Sequence, residues 1–284
     1  MKKLTSRSIR RLAVAMVLVL PCTAAIGSAA TGTPPRTVSD APQSYYLALG
    51  DSMAYGYQPD KASPARPSAF HTGYVDLFAA SLRKLSPKIQ VVNYGCPGES
   101  SVTFTRGGCP GLSDGFKLHD TFRGSQLKAA LSFLRTHNGQ VSTVTLTLWG
   151  AELAPLSAKG KRAPAAIASF ESRLSPILRQ LRAAAPNAEI IVTGAWNPEA
   201  DRLAKVEPLY RSVDAAIARA AAAPRVRVAN MFRALNGSGN VQAQQARLCK
   251  ITYYCSKGDP HPTDAGYRAM AGAFVAASGY ARKS

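Results

Sequence analysis

Gly50-Asp51-Ser52-Met53-Ala54-Tyr55-Gly56 sets a serine in a tight glycine turn, directly after the apolar run Tyr45 to Leu49. A serine hydroxyl is a weak nucleophile until a base takes its proton. Acyl chemistry at such a residue therefore needs a histidine, and the histidine needs an orienting partner. The histidine that qualifies lies near the far end of the chain, in Asp259-Pro260-His261-Pro262-Thr263-Asp264-Ala265-Gly266-Tyr267. There His261 stands in a proline-held loop between carboxylates, just before a helical stretch. Alone, Gly-Asp-Ser is an ordinary turn tripeptide; its place at the end of a strand is what marks it. His71, His119 and His137 have no strand-end turn with a neighbouring carboxylate, and packing is the expected role of each.

The elements that must bring these segments together follow from periodicity. Short β-branched runs predict strands over Tyr45 to Leu49, Ile89 to Tyr94, Thr143 to Leu148, Glu189 to Gly194 and Val226 to Ala229. Between them, Tyr74, Leu77, Phe78, Leu82 and Leu85 fall on one helical face, as do Leu127, Ala130, Leu131 and Leu134. A third helix carries Ile167, Phe170, Leu174, Ile177, Leu178 and Leu181, with a bend expected at Pro176. Two more are expected over Leu209 to Ala222 and Asp264 to Ala277. Strand–helix alternation of this kind predicts an α/β fold, a doubly wound parallel sheet covered by helices on both faces. In such sheets ligands bind at the carboxyl ends of the strands, where Ser52 falls.

Composition sets the context. The 284 residues are 46 % hydrophobic and 18 % charged, enough apolar material for one large core. Lys2, Lys3, Arg7, Arg10 and Arg11 precede an apolar run from Leu12 to Leu20 and small residues ending at Ser28-Ala29-Ala30, so residues 1–30 read as a secretory signal peptide. Residues 31–44 read as a flexible Pro/Thr/Ser-rich leader, and residues 45–284 as the catalytic domain. No later run approaches the roughly 20 apolar residues of a membrane helix, so a secreted, extracellular protein without a transmembrane segment is expected. Loss of the five basic residues of the signal lowers the net charge from +19 to +14. Such a field favours contact with anionic surfaces, but the basic residues are scattered and no nucleic-acid-reading motif is present. Cys22 leaves with the signal. Among the three ways to join the remaining four cysteines, local disulfides Cys96–Cys109 and Cys249–Cys255 are expected. Neither spacing suits a metal, and no metal or other cofactor is expected.

In these segments the chain resembles the SGNH/GDSL hydrolase family over nearly all of the mature sequence. Leu49-Gly50-Asp51-Ser52 with Gly56 resembles its first block, Asn93-Tyr94-Gly95-Cys96-Pro97-Gly98-Glu99-Ser100 its second, and Asp259-Pro260-His261-Pro262-Thr263 its last. The resemblance implies a flavodoxin-like three-layer α/β/α sandwich on a five-stranded parallel sheet. It also implies Ser52 as nucleophile, the backbone N–H groups of Ser52 and Gly98 as oxyanion donors, His261 as base and Asp259 as its orienting carboxylate. Two departures stand out. The family commonly places two residues between carboxylate and histidine, whereas here only Pro260 intervenes, which leaves a backbone carbonyl as the alternative orienter. The third block, a Gly-x-Asn or Gly-Asn-Asp turn whose asparagine holds the oxyanion, is replaced by Leu148-Trp149-Gly150-Ala151-Glu152-Leu153. By register, Ala151 or Glu152 takes the asparagine's place. Alanine offers no donor, and an ionised Glu152 would oppose the developing charge; a protonated Glu152 and the Trp149 indole are the candidate substitutes. Losing one oxyanion donor typically costs about 10²–10³ in rate.

The expected activity is therefore that of a slowed, monomeric esterase or lipase. The family's substrates imply a small-molecule ester, a lipid or an acylated polysaccharide, with Tyr55, Tyr57, Phe104 and Trp196 as candidate lining. A catalytically degenerate glycan- or lipid-binding protein, and an acyltransferase using the same residues, are the alternatives.

Overall fold

The computed structural model describes residues 43–61, 66–222 and 224–280. The expected signal over residues 1–30 and most of the expected leader lie outside the described residues. Five strands, β1 (Tyr45–Gly50), β2 (Gln90–Asn93), β3 (Val141–Thr147), β4 (Glu189–Thr193) and β5 (Arg227–Ala229), form one sheet in the order β2-β1-β3-β4-β5. Every neighbouring pair is parallel. Parallel pairing demands crossovers: α1 (Ser52–Tyr55) and α2 (Tyr74–Arg83) lie between β1 and β2, α3 (Ser101–Arg106), α4 (Pro110–Ser113) and α5 (Gln126–Thr136) between β2 and β3, α6 (Gly150–Leu153) and α7 (Ala163–Ala184) between β3 and β4, and α8 (Leu203–Ala222) between β4 and β5, while α9 (Val241–Ile251), α10 (Tyr254–Lys257) and α11 (Asp264–Ala277) follow the last strand.

Successive side chains of β1 point to opposite faces, and this sets the layers. Tyr45 packs edge-on against Phe133 of α5 at 5.4 Å, while Tyr46 packs against Phe78 of α2 at 5.4 Å. Tyr74 of α2 stacks on Phe274 of α11 at 4.4 Å, so α2 and α11 cover one face. On the other, α5 lies against α7, and α7 against α8. β3 is buried along its whole length although it is rich in hydroxyls. Buried hydroxyls need partners, and Thr145 Oγ1 finds them in Tyr46 Oη at 2.8 Å and Tyr74 Oη at 3.2 Å.

All five expected strands are present, with ends within two residues of the expectation. The helices differ more. α8 begins at Leu203, ahead of the expected Leu209, and runs through Pro208; α7 likewise continues past Pro176 to Ala184. α9 has no counterpart in the apolar pattern, because only Leu248 and Ile251 of it are buried; Asn240 caps it by accepting from the Ala243 N–H.

The chain places β2 on one side of β1 and β3 on the other, which makes the carboxyl ends of β1 and β3 the topological switch point where doubly wound sheets bind ligands. Ser52 follows the first of these strands and Trp149 the second.

Candidate active site

The turn that presents Ser52 is dictated by its glycines. Gly50 has φ +123°, and a Cβ there would lie 1.9 Å from the Thr147 carbonyl oxygen of β3, so any side chain would push the two strands apart. Asp51 then caps α1, its Oδ1 accepting from the Met53 N–H at 3.0 Å and from Thr147 Oγ1 at 2.8 Å. Gly56 closes the helix in the left-handed region. Ser52 is thereby the first residue of α1, at the open end of the sheet.

His261 reaches it from the loop before α11. Its Nε2 lies 2.7 Å from Ser52 Oγ, and its Nδ1 lies 2.6 Å from Asp259 Oδ1. The same Asp259 oxygen accepts from the His261 backbone N–H at 2.8 Å. A carboxylate two positions ahead of a histidine can thus bind both its ring and its backbone, an Asx-type turn. The single intervening Pro260 does not prevent the contact. Burial raises the Asp259 pKa, but the hydrogen bond and charge of His261 outweigh it and hold the carboxyl below its ordinary range. With Nδ1–H donated to Asp259, Nε2 is left to accept from the serine hydroxyl.

Two further segments face this group. Asn93 Nδ2 donates to the Ala54 carbonyl at 2.9 Å and its Oδ1 accepts from the Gly95 N–H at 2.8 Å, docking the second segment on α1. A Cβ on Gly95 would lie 2.5 Å from the Tyr55 nitrogen. Gly98 follows at φ +78° and the disulfide Cys96–Cys109 ties this loop to α4. After β3, Glu152 turns away: its carboxylate accepts from the Ser101 N–H at 3.0 Å and from Ser101 Oγ, and pairs with Arg173 of α7. The concern that Glu152 sets an opposing charge at the oxyanion position is therefore removed, since it does not border the cavity over Ser52, whereas Ala151 does.

A profile of the GDSL-like lipase/acylhydrolase family matches residues 48–269. The chain belongs to this family. No curated protein sequence matches it. Among solved structures, the GDSL-like chain is similar to phospholipase A1 from Streptomyces albidoflavus NA297, with 18% identity over 83% of this chain and 100% of that one, at a TM-score of 0.57. It is also similar to Axe2, an acetylxylan esterase from Geobacillus stearothermophilus, with 14% identity over 82% of this chain and 93% of that one, at a TM-score of 0.53.

In this GDSL-like chain Ser52, Gly98, Asp259 and His261 all border one cavity of about 750 Å³. Trp149, Trp196, Tyr57, Phe116 and Tyr254 supply aromatic wall, with Tyr57 edge-on to the His261 ring at 4.6 Å. The expected lining is half right. Tyr55 and Phe104 are fully buried in the core and do not reach the cavity. Trp149 and Trp196 are each 2 % exposed and pack edge-to-face at 4.7 Å, so they are core residues with an edge on the cavity. Of the other histidines, two serve packing, His119 with Nε2 2.9 Å from the Tyr55 carbonyl and His137 stacked on Phe133 at 4.1 Å, whereas His71 is exposed and lies 3.5 Å from Asp76. Arg173 and Gln126, which hold the third and second segments, carried no sequence signal; each acts across elements distant in the chain.

Proposed function

We propose that the chain is an exported serine esterase that hydrolyses carboxylic acyl esters through a covalent acyl-enzyme. Residues 1–30 serve as its signal, 31–44 as leader and 45–284 as catalytic domain. Two disulfides, Cys96–Cys109 and Cys249–Cys255, suit an oxidising compartment, and no helix among the described residues is long and apolar enough to cross a membrane.

The observation that carries the reading is the unbroken chain of short contacts from Ser52 Oγ through His261 to Asp259, 2.7 and 2.6 Å, on the wall of the cavity. Ser52 Oγ attacks the ester carbonyl carbon as its proton passes to His261 Nε2, and the N–H groups of Ser52 and Gly98 take the oxyanion. The tetrahedral adduct collapses by breaking the ester C–O bond, and the departing alkoxide takes the proton from His261. Water then repeats the sequence: its proton goes to His261 as its oxygen bonds the acyl carbon, and Ser52 recovers the proton as it leaves. Asp259 holds the imidazole in the required tautomer and balances its positive charge. Ala151 stands where the family's asparagine would donate, so the rate is set by two backbone donors.

Hydrolysis of p-nitrophenyl acetate, butyrate and palmitate by the wild-type protein, Ser52→Ala and Ala151→Asn tests this. Ser52→Ala is expected to abolish turnover, and Ala151→Asn to raise kcat about tenfold or more. Turnover that survives Ser52→Ala overturns the reading. A folded wild type without turnover that Ala151→Asn awakens favours a degenerate ester-binding protein.

A further inference from the structure

Gln126, the first residue of α5, is 0 % exposed, and its side chain bonds to both of the segments that frame Ser52. Its Oε1 accepts from the Gly50 N–H at 2.6 Å, while its Nε2 donates to the Gly50 carbonyl at 3.0 Å and to Glu99 Oε2 at 3.0 Å. Gly50 stands two residues before Ser52, and Glu99 directly after Gly98. We propose that Gln126 is a positioning residue for the acyl-transfer site, fastening the peptide that carries Ser52 to the loop that carries Gly98 and so fixing the distance between their two N–H groups. The inference rests on the esterase reading above.

The chemistry singles out a primary amide. Gly50 ends β1, where its N–H needs an acceptor and where β3 crowds it too closely for any side chain of its own. Only a neutral amide offers, from one terminus, an acceptor toward that N–H and two donors toward a carbonyl and a carboxylate. A second contact spans the same gap, from the Cys96 N–H to the Gly50 carbonyl at 2.9 Å, but it leaves the Gly50 N–H and Glu99 unheld. A buried glutamine is costly unless its polar atoms are bonded, and here every bond it makes goes to these two segments. A hole with only two backbone donors has less tolerance for misplacement than one with three. A displacement of about 1 Å in an active site can cost about 10²-fold in rate.

Gln126→Met keeps length and removes all polar atoms. The folded variant, checked by near-ultraviolet circular dichroism and its melting curve, is expected to lose about 10- to 100-fold in kcat on p-nitrophenyl acetate with KM changed less than about threefold, the signature of an interaction made in the transition state. Glu99→Gln keeps an acceptor for the Gln126 amide and is expected to stay within about threefold of wild type. Gln126→Glu turns an acceptor toward both the Gly50 carbonyl and Glu99 and is expected to lose activity, while Gln126→Glu combined with Glu99→Gln restores a donor–acceptor pair between residues 126 and 99 but not the donation to Gly50, and is expected to recover part of it. The positioning role is overturned if folded Gln126→Met keeps its kcat, if the loss lies in KM, or if the double variant is no better than Gln126→Glu. Should Ser52→Ala leave wild-type turnover intact, the esterase reading itself fails, whatever Gln126 does.

Discussion

Asp51 and Glu99 are carboxyl groups at 2 % and 1 % exposure with no ion pair to either among the described residues, so burial governs both. It pushes Asp51 up to about 6 and Glu99 up to about 7, the latter against the hydrogen-bonding influence of Thr103 and Gln126 and with the help of the Asp51 charge. The second oxygen of Glu99, Oε1, is buried without a partner, which adds to the cost of ionising it. The consequence for stability has a definite sign. Between the ordinary glutamate value of 4.5 and about 7 the folded protein holds a proton that the unfolded chain has lost. Glu99 therefore contributes stability that is fully present below the ordinary value and lost as pH rises through about 7. At 1.36 kcal/mol per unit this amounts to about 3 kcal/mol at most. Glu99→Gln has no charge to bury, so its melting temperature is expected to exceed wild type at pH 8 and to lose that advantage by pH 4. Asp51 is present in both proteins, so the difference between their melting curves reports Glu99 together with its coupling to the Asp51 charge. Parallel curves for the two proteins across that range would refute the assignment.

The loop bearing His261 is held by residues outside the proposed Ser52–His261–Asp259 group. Thr252 and Pro262 form an antiparallel bridge; the Tyr253 N–H donates to the His261 carbonyl at 3.0 Å and the Thr263 N–H to the Ile251 carbonyl at 2.9 Å. Gln58, fully buried, adds Nε2 donation to the Pro262 carbonyl at 3.3 Å and to Asp264 Oδ1 at 3.0 Å. The strip beside His261 is the turn between α9 and α10, which Cys249–Cys255 closes over a sequence separation of 6. Replacing both cysteines by serine is expected to cost about 2 kcal/mol of stability, the chain-entropy value for so short a loop. It should also lower kcat several-fold well below the melting temperature, because the strip that registers His261 is freed. Urea melts and p-nitrophenyl acetate kinetics separate the two effects, and an unchanged kcat in the folded variant would show that the disulfide serves stability alone. This difference between chemistry and support marks what the sequence discloses. Ser52 and His261 are legible because each sits in a turn whose residues act locally, and the strands because β-branched runs need no distant partner to be recognised. Gln126 is not, since a polar residue after a capping serine reads as the exposed start of a helix. The pairing of Glu152 with Arg173 is equally silent, because it closes only when α6 meets α7. α9 escapes for want of an apolar stripe: its helix formers are mostly solvent-facing, and its place is set by two buried side chains and the disulfide.

Over the whole molecule the charge is unevenly placed. The full chain carries +19, and Lys84, Lys88, Arg135 and Arg179 are among its exposed basic residues. The cavity has the opposite balance: among the described residues Asp51, Asp114, Glu199, Asp201 and Asp259 border it, against Arg202 as the one Lys or Arg. Arg202 itself pairs with Asp201 at 3.3 Å. A basic exterior draws the protein toward anionic surfaces, while an acidic cavity disfavours an anionic ester at the moment of reaction, and salt tells the two apart because it screens both. Raising ionic strength from about 0.02 M to about 0.5 M shortens the Debye length from about 20 Å to about 4 Å. Sedimentation with phosphatidylglycerol vesicles is expected to fall steeply over that range. The kcat/KM for neutral p-nitrophenyl acetate should change by less than about twofold, since no net charge is brought to the site. For an anionic soluble ester, such as the mono-p-nitrophenyl ester of a dicarboxylic acid, kcat/KM should start lower and rise with salt as repulsion by the cavity carboxylates is screened. A fall with salt for that ester would mean that the exterior field governs access to Ser52, and that the carboxylates around the cavity do not select against charge.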